Sequence, residues 1–235
     1  MHRTLLLASS IFLVSFSVFP KPVSLFDKHD EEVVYVLPEP DALPLLPQPE
    51  RKMFPCVEPD RKAIQQTQQT VTGECGIDVI TDGIRRICEE IKPLGAFVSC
   101  DVYGAIISSS VDAKIVGQSY FNMAKYLDYI CPMVYPSHYG DGYYNLDYPD
   151  CHPYELVYHA LMDSQKVLYM IDPAENKAEV RPWLQDFTAS WVRHHLNYGR
   201  DEVRGQISAV YDAGYSQWLL WNAGISYTED ALQKE

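Results

Sequence analysis

YICPMVYPSHYGDGYYNLDYPDCHPYE, residues 129–155, begins as a short apolar run and turns abruptly into an aromatic, polar loop. Tyr129 to Val134 is short, apolar and bounded by turn residues, the signature of a buried strand. The loop beyond it carries Tyr135, His138, Tyr139, Tyr143, Tyr144, Asp147, Tyr148, Asp150 and His152, with Gly140 and Gly142 for bends. A core alone does not need so many tyrosines in one loop. Planar rings and hydroxyls past the end of a buried strand suit a pocket for a polar, ring-shaped ligand. The alternative is that these rings fold back and pack the loop on itself.

Working outward, the same texture repeats. Ile77, Ile80, Ile84, Ile87 and Ile91 recur at helical spacing, with Arg85, Glu89 and Glu90 between them, and Pro93 and Gly95 end that helix. Ala96 to Val102 reads as a strand. Ser119 caps a short helix to Leu127. Pro153 opens a helix that continues from Tyr154 to about Leu168. Glu179 to Phe187 is a third strand. Asp201 is the expected cap of a helix through Ala213, stopped by Gly214. Gln217 to Trp221 is a fourth strand, followed by Asn222-Ala223-Gly224. Four strands separated by helices at this spacing imply parallel pairing with helical crossovers.

An open doubly wound sheet and a (β/α) barrel both fit that alternation. No GxGxxG follows any strand, so dinucleotide binding has no support. Polar or aromatic groups instead follow all four strands: Asp101 with Tyr103, Tyr135 with His138, Gln185 with Asp186, and Trp221 with Asn222. In a barrel those ends share one face, where active sites lie. The expected class is therefore α/β, of the TIM-barrel type.

Two carboxylates stand at strand ends, Asp101 and Asp186. Glycoside hydrolysis needs two: one donates a proton, and the other attacks or activates water. One must be held protonated, and neighbouring rings with little hydration raise a carboxyl pKa. The bland reading of each is an acid that caps a loop or pairs with Arg181. Together, with Trp183, Trp221 and the tyrosines around them, they are the expected catalytic pair. Tyr103, Tyr135, His138, Trp183, Gln185, Trp221 and Asn222 are the expected substrate contacts, since aromatic faces stack on the apolar faces of sugars. His194-His195 reads as solvated surface.

No His, Asp, Glu or Cys cluster has metal spacing, so no metal or cofactor is expected. Cysteines 56, 75, 88, 100, 131 and 151 form no CxxC pair. Cys100 and Cys131 read as small buried hydrophobes; Cys151, in the loop, reads as reactive or bridged. The net charge of −13 argues against nucleic acid and anionic membrane surfaces as partners.

The N-terminal part differs. His2 and Arg3 precede the apolar Leu5 to Phe19, the pattern of a secretory signal with a cut after Ser17. Export to the periplasm or cell envelope is the expectation; an uncleaved anchor or a misplaced start codon are the alternatives. Pro38, Pro40, Pro44, Pro47, Pro49, Pro55 and Pro59 forbid long helix or central strand, with room for one strand over Glu31 to Leu37. The expected organisation is thus a signal-like segment (1–19), a Pro-rich irregular segment (20–76) and an α/β domain (77–230).

YLDYICPMVYPSHYG (126–140), PDCHPYELVYHAL (149–161), AEVRPWLQDF (178–187) and EVRGQISAVYDAGYSQWLLWNAG (202–224) resemble the bacterial putative glycosyl hydrolase domain family, which belongs among the TIM-barrel glycosidases. The resemblance spans about Asp78 to Thr228. It implies that the strands within 100–104, 129–136, 181–187 and 218–224 are the fifth to eighth of a barrel, so the barrel is incomplete. It also implies an aspartate on the fourth strand, in a Phe-Asp-Tyr-x-Arg-Phe-Pro segment. Only Met53-Phe54-Pro55 remains of that segment, and Glu50 stands where the aspartate belongs. A barrel takes about 250 residues. The expected protein is an exported glycoside hydrolase-like chain with impaired catalysis and retained carbohydrate binding. Its open sheet edges make self-association a further expectation. A non-catalytic carbohydrate-binding protein or a structural cell-envelope protein are the competing readings.

Overall fold

The computed structural model describes residues 5–9, 12–20 and 74–232. The expected strand at Glu31–Leu37, nearly all of the Pro-rich segment, Glu50 and Met53-Phe54-Pro55 lie outside the described residues. Two N-terminal strands, β1 (Leu5–Ser9) and β2 (Phe12–Pro20), precede a long helix α1 (Glu74–Ile91). Then come β3 (Ala96–Tyr103), two short helices α2 (Ser110–Val116) and α3 (Tyr120–Ala124), and β4 (Tyr129–Met133). The chain continues through α4 (Pro153–Tyr169), β5 (Glu179–Val180), β6 (Trp183–Gln185), α5 (Arg200–Asp212) and β7 (Leu219–Trp221).

The sheet order is β1-β2-β3-β4-β6-β7, with β5 also against β4. From β3 onward every pairing is parallel: Asp101 opposite Cys131, Tyr103 opposite Met133, Met133 opposite Trp183, and Trp183 opposite Leu219. The sheet curls as a parallel half-barrel, as the strand–helix alternation implied. On its other side β3 pairs antiparallel with β2, Phe16 opposite Cys100 and Ser17 opposite Ser99. The apolar residues with the pattern of an export signal are therefore strands here.

Local chemistry explains the elements. In α1 the isoleucine stripe turns inward: Ile84 is buried, and Ile80, Ile87 and Ile91 pack against the core. On the outer side Arg85 bridges Asp82 and Glu89 at the helical spacings that favour such pairs. Gly95 takes a left-handed conformation (φ 78°) and lets the chain reverse into β3. Ser119 caps α3 by accepting from the Asn122 amide.

Three details differ from expectation. The strand foreseen over Glu179–Phe187 is broken at Arg181-Pro182, because proline has no amide for the ladder. The cap of α5 is Gly199, whose amide donates to the Glu202 carboxylate (3.0 Å), so Asp201 lies in the first turn. Helix α2 was not foreseen; Ser109 caps it by accepting from the Asp112 amide. Gly214 (φ 78°) stops α5 as foreseen.

The parallel strands have two unlike faces. Val98, Cys100, Val102, Ile130, Val134, Val180 and Leu184 are buried on one side with Leu156, Leu161, Val203 and Ile207 from α4 and α5. Removing one such side chain, as in Leu161→Ala, costs about 2–5 kcal/mol. By the two-residue alternation of strands, the face turned away from α4 and α5 carries Asp101 and Tyr103, Met133 and Tyr135, Trp183 and Gln185, and Leu219 and Trp221.

Candidate functional site

Asp101 is the carboxylate on this face of β3. The Trp183 indole, two strands away, donates its Nε1 proton to Asp101 Oδ1 at 2.7 Å. A bond this short to an anion is among the stronger kinds. It fixes the Trp183 ring across the face, where it meets Trp221 edge-on, centroids 6.0 Å apart. Trp221 is 44% exposed at the last position of β7. Tyr135, just past β4, is buried near the same carboxylate. Burial first, then the Asp101 charge and Tyr227, push its hydroxyl well above the ordinary tyrosine range. Asp101, Tyr135, Trp183 and Trp221 thus form one aromatic and acidic surface at the strand ends.

Tyr103 stands in the next register row. Its amide donates to the buried Gln118 side chain (2.9 Å), which ends the β3 ladder there. Burial raises its hydroxyl pKa. The His138 ring packs edge-on against Tyr135 (5.3 Å) and Phe187 (6.5 Å) and contacts the Ser137 hydroxyl through Nδ1. Burial lowers its pKa.

Gln185 is wholly buried, and its amide is saturated. Oε1 accepts from the Ser137 amide (3.1 Å) and hydroxyl (2.7 Å); Nε2 donates to Asp150 Oδ1 (3.0 Å) and the Phe187 carbonyl (3.1 Å). A glutamine side chain has two donors and two acceptor sites, and all four are used. Gln185 therefore ties the aromatic loop to β6. Asp150 is its buried carboxylate partner and also accepts from the Leu196 amide (3.3 Å). Burial raises the Asp150 pKa, partly offset by those bonds.

Asp186 is not brought into the row. It follows the alternation of Leu184, a core residue, and is 2% exposed. Its Oδ2 accepts from the Thr228 amide (2.8 Å) and its Oδ1 from the Thr228 hydroxyl (2.6 Å). Asn222 is similarly engaged, donating to the Asp186 and Ser226 carbonyls and accepting from the Gly224 amide.

The tyrosines of the loop divide. Tyr139, Tyr143, Tyr144 and His159 form a chain of ring contacts with centroids 5.0, 4.9 and 5.5 Å apart, and Tyr143 and Tyr144 both reach the Ser108 hydroxyl. These rings pack the loop on itself; Tyr135 faces the acidic surface. Gly104 makes this approach possible. A Cβ there would lie 2.3 Å from the Met133 carbonyl oxygen and 2.7 Å from the Tyr139 hydroxyl.

These motifs and this sheet have a counterpart among known families. The family model described as "Putative glycosyl hydrolase domain" matches residues 53–227. The chain belongs to this family. The match begins at Met53, upstream of the stretch where the sequence motifs crowd, and so takes in Met53-Phe54-Pro55. No curated protein matches. Among solved structures the chain is similar to the PgaB (BpsB) glycoside hydrolase domain from Bordetella bronchiseptica. The identity is 17% and the TM-score 0.41, over 74% of this chain and 42% of that one. This glycosyl hydrolase-like chain thus spans less than half the length of that domain's chain.

Two other places in the domain bear on the assignment. A groove of about 650 Å³ lies at the opposite, N-terminal ends of the strands, lined by Tyr169, Lys177, Glu179, Gly214 and Gln217 among others. Its polar groups are largely engaged with each other: Gln217 bridges Glu179 and Arg181, and Gln165 donates to the Ala213 carbonyl. Cys131, beside Asp101, contacts the Ser99 hydroxyl (3.2 Å), and burial pushes its thiol up to about 12. Cys88, Cys100, Cys131 and Cys151 are all free. Among the described residues no group of three His, Cys, Asp or Glu could hold a metal, and no helix is long and apolar enough to cross a membrane.

Sequence reasoning missed Phe187 and Trp191. Phe187 meets Tyr135 edge-on (5.8 Å), and Trp191 stacks on Phe187. The signal was present in WLQDFTASW (183–191), an aromatic-rich turn after a strand.

Proposed function

We propose that this chain is an exported, carbohydrate-binding member of the glycosyl hydrolase family whose hydrolytic step is impaired. In this reading β3, β4, β6 and β7 are the fifth to eighth strands of the family barrel. The single observation that carries the proposal is the different fate of the two aspartates. Asp101 lies in an aromatic surface that can stack on a sugar and accept from its hydroxyls, while both oxygens of Asp186 are engaged by Thr228. Hydrolysis takes a pair of carboxyl groups facing the bond, about 5–5.5 Å apart for retention and about 6.5–9.5 Å for inversion. In this reading Asp101 orients and binds the sugar, and Asp186, held by Thr228, does not serve as the second carboxyl that hydrolysis takes. Losing one member of such a pair costs several powers of ten in rate, whereas binding by the remaining wall only weakens.

The test uses the full chain. Binding to oligosaccharides of glucose, N-acetylglucosamine and xylose is measured by calorimetry, and turnover by reducing-end release. Expected is measurable binding, weakened roughly tenfold by Asp101→Asn, with little or no release. Robust release abolished by Asp101→Asn would sink the proposal of impaired catalysis. If Glu50→Gln also abolished it, the missing carboxylate would be Glu50. Absence of binding to every sugar would remove the carbohydrate reading.

A further inference from the structure

We infer that Trp191, stacked on Phe187, is a second sugar platform, so that the ligand is an oligosaccharide chain rather than a single sugar. This rests on the carbohydrate reading above and extends it. Trp191 is 68% exposed, unusual for so large an apolar ring. It is not left outside by a loose loop. Ala189, two residues before it, is fully buried, and the Val192 amide donates to the Ala189 carbonyl (2.9 Å). His195 Nδ1 contacts the Val192 carbonyl, the Tyr198 amide donates to the Thr188 hydroxyl, and the Leu196 amide donates to Asp150. The loop is pinned on both sides of the ring.

The orientation is equally defined. The Trp191 and Phe187 rings lie nearly parallel, 19° apart with centroids at 6.0 Å. Phe187 covers one side of the indole and itself packs edge-on against Tyr135. A ring held this way presents a flat apolar plane, the surface a pyranose face needs.

Continuity with the first surface selects the occupant. Ring contacts run from Trp191 through Phe187 to Tyr135, whose hydroxyl feels the Asp101 charge. From Asp101 the path continues by the hydrogen bond from Trp183 and by the edge-on contact of Trp183 with Trp221. The two ends of this aromatic path are the exposed tryptophans, with the carboxylate between them. A single sugar on Trp221 leaves Trp191 uncovered; a chain of several units covers both. The net charge of −13 disfavours a polyanionic glycan and is compatible with a neutral or amino-bearing one.

The experiment compares disaccharides with hexasaccharides of glucose, N-acetylglucosamine and xylose, by calorimetry and by tryptophan fluorescence, on the full chain. Expected is tighter binding of the hexamer than of the dimer. Trp191→Ala weakens the hexamer roughly tenfold and the dimer much less, and Trp191→Phe recovers most of the loss. Trp221→Ala weakens both lengths. Far-ultraviolet circular dichroism checks that each variant folds, which the exposure of both rings favours. Binding without length dependence, or a hexamer affinity indifferent to Trp191→Ala, overturns the second platform and leaves the carbohydrate reading standing. No binding of any of these sugars by the unaltered chain overturns both. Trp191→Ala releasing a bound protein while sugar binding is unchanged identifies a protein contact and also overturns it.

Discussion

Gln185→Leu is the perturbation whose cost follows most directly from the structure. The side chain is fully buried and makes four hydrogen bonds, three to neutral groups and one to the Asp150 carboxylate. Neutral bonds contribute about 1 kcal/mol each and one to a charge about 1.5–3. The sum is about 4.5–6 kcal/mol, and the apolar leucine recovers about 1–2 of it by burial. A net loss of about 2.5–5 kcal/mol is expected, a large part of the stability of an ordinary domain. Gln185→Glu distinguishes hydrogen bonding from packing. It keeps the volume but replaces the Nε2 donor by an oxygen facing Asp150, so the two carboxyl groups must share a proton. Their folded pKa values rise above the unfolded ones. The stability this proton confers is full below the unfolded carboxyl pKa and is lost as pH rises through the folded values. Relative to the unaltered chain, Gln185→Glu is therefore less destabilised at pH 5 than at pH 7.5; Gln185→Leu, which removes a bond that lowers the Asp150 pKa, follows in the same direction but more weakly, since it adds no second carboxyl. Urea unfolding followed by circular dichroism at both pH values reads this. A Gln185→Leu loss below about 1 kcal/mol would refute the hub. So would a Gln185→Glu penalty that grows as the pH falls.

Thr228→Val removes the hydroxyl that donates to Asp186 and keeps the amide that donates to its other oxygen. A loss of about 1.5–3 kcal/mol is expected in thermal unfolding, and no loss would show that Asp186 is not tethered there. Burial lowers the His138 pKa below 6.5. Its stabilising contribution is present above 6.5 and lost as pH falls through the folded value, so His138→Phe flattens stability against pH just below 6.5; an unchanged slope would exclude His138 as its source. The export reading expects a mature chain starting after Ser17 by mass spectrometry of the exported fraction. That cut removes β1 and most of β2, and the uncovered β3 edge is then expected to promote self-association in sedimentation. A mature chain that keeps residue 1 would refute cleavage, and a monomeric truncated chain would refute the edge argument.

The parallel sheet was legible because each strand sits between a helix start and a helix stop that local chemistry can signal. The isoleucine spacing of α1, Ser119 before α3, Pro153 at the head of α4 and Gly214 after α5 are such signals. Where the signal was ambiguous, competing chemistry decided. The run Ser108-Ser109-Ser110 looks like a loop, yet Ser109 starts α2 by capping it. Gly199 has no side chain to cap with, and Glu202 reaches back in its place. Pro182 breaks a strand whose apolar pattern continues past it.

The candidate site was legible to the depth of alternation and no further. Counting by two from Leu184, a core residue, already separates Asp186 from Trp183, and counting from Cys100 sets Asp101 on the open side. What alternation cannot convey is saturation. Gln185 shares its strand face with Trp183, and by position alone it is as good a sugar ligand. Only the partners of its four hydrogen-bonding positions show that the loop has taken them all. The same applies to Asp186, both of whose oxygens accept from Thr228. Asp101 accepts from an indole that is itself part of the aromatic wall, so that bond also builds the surface a sugar would meet. That difference, rather than the presence of two acids in the sequence, is why binding is the activity to look for first.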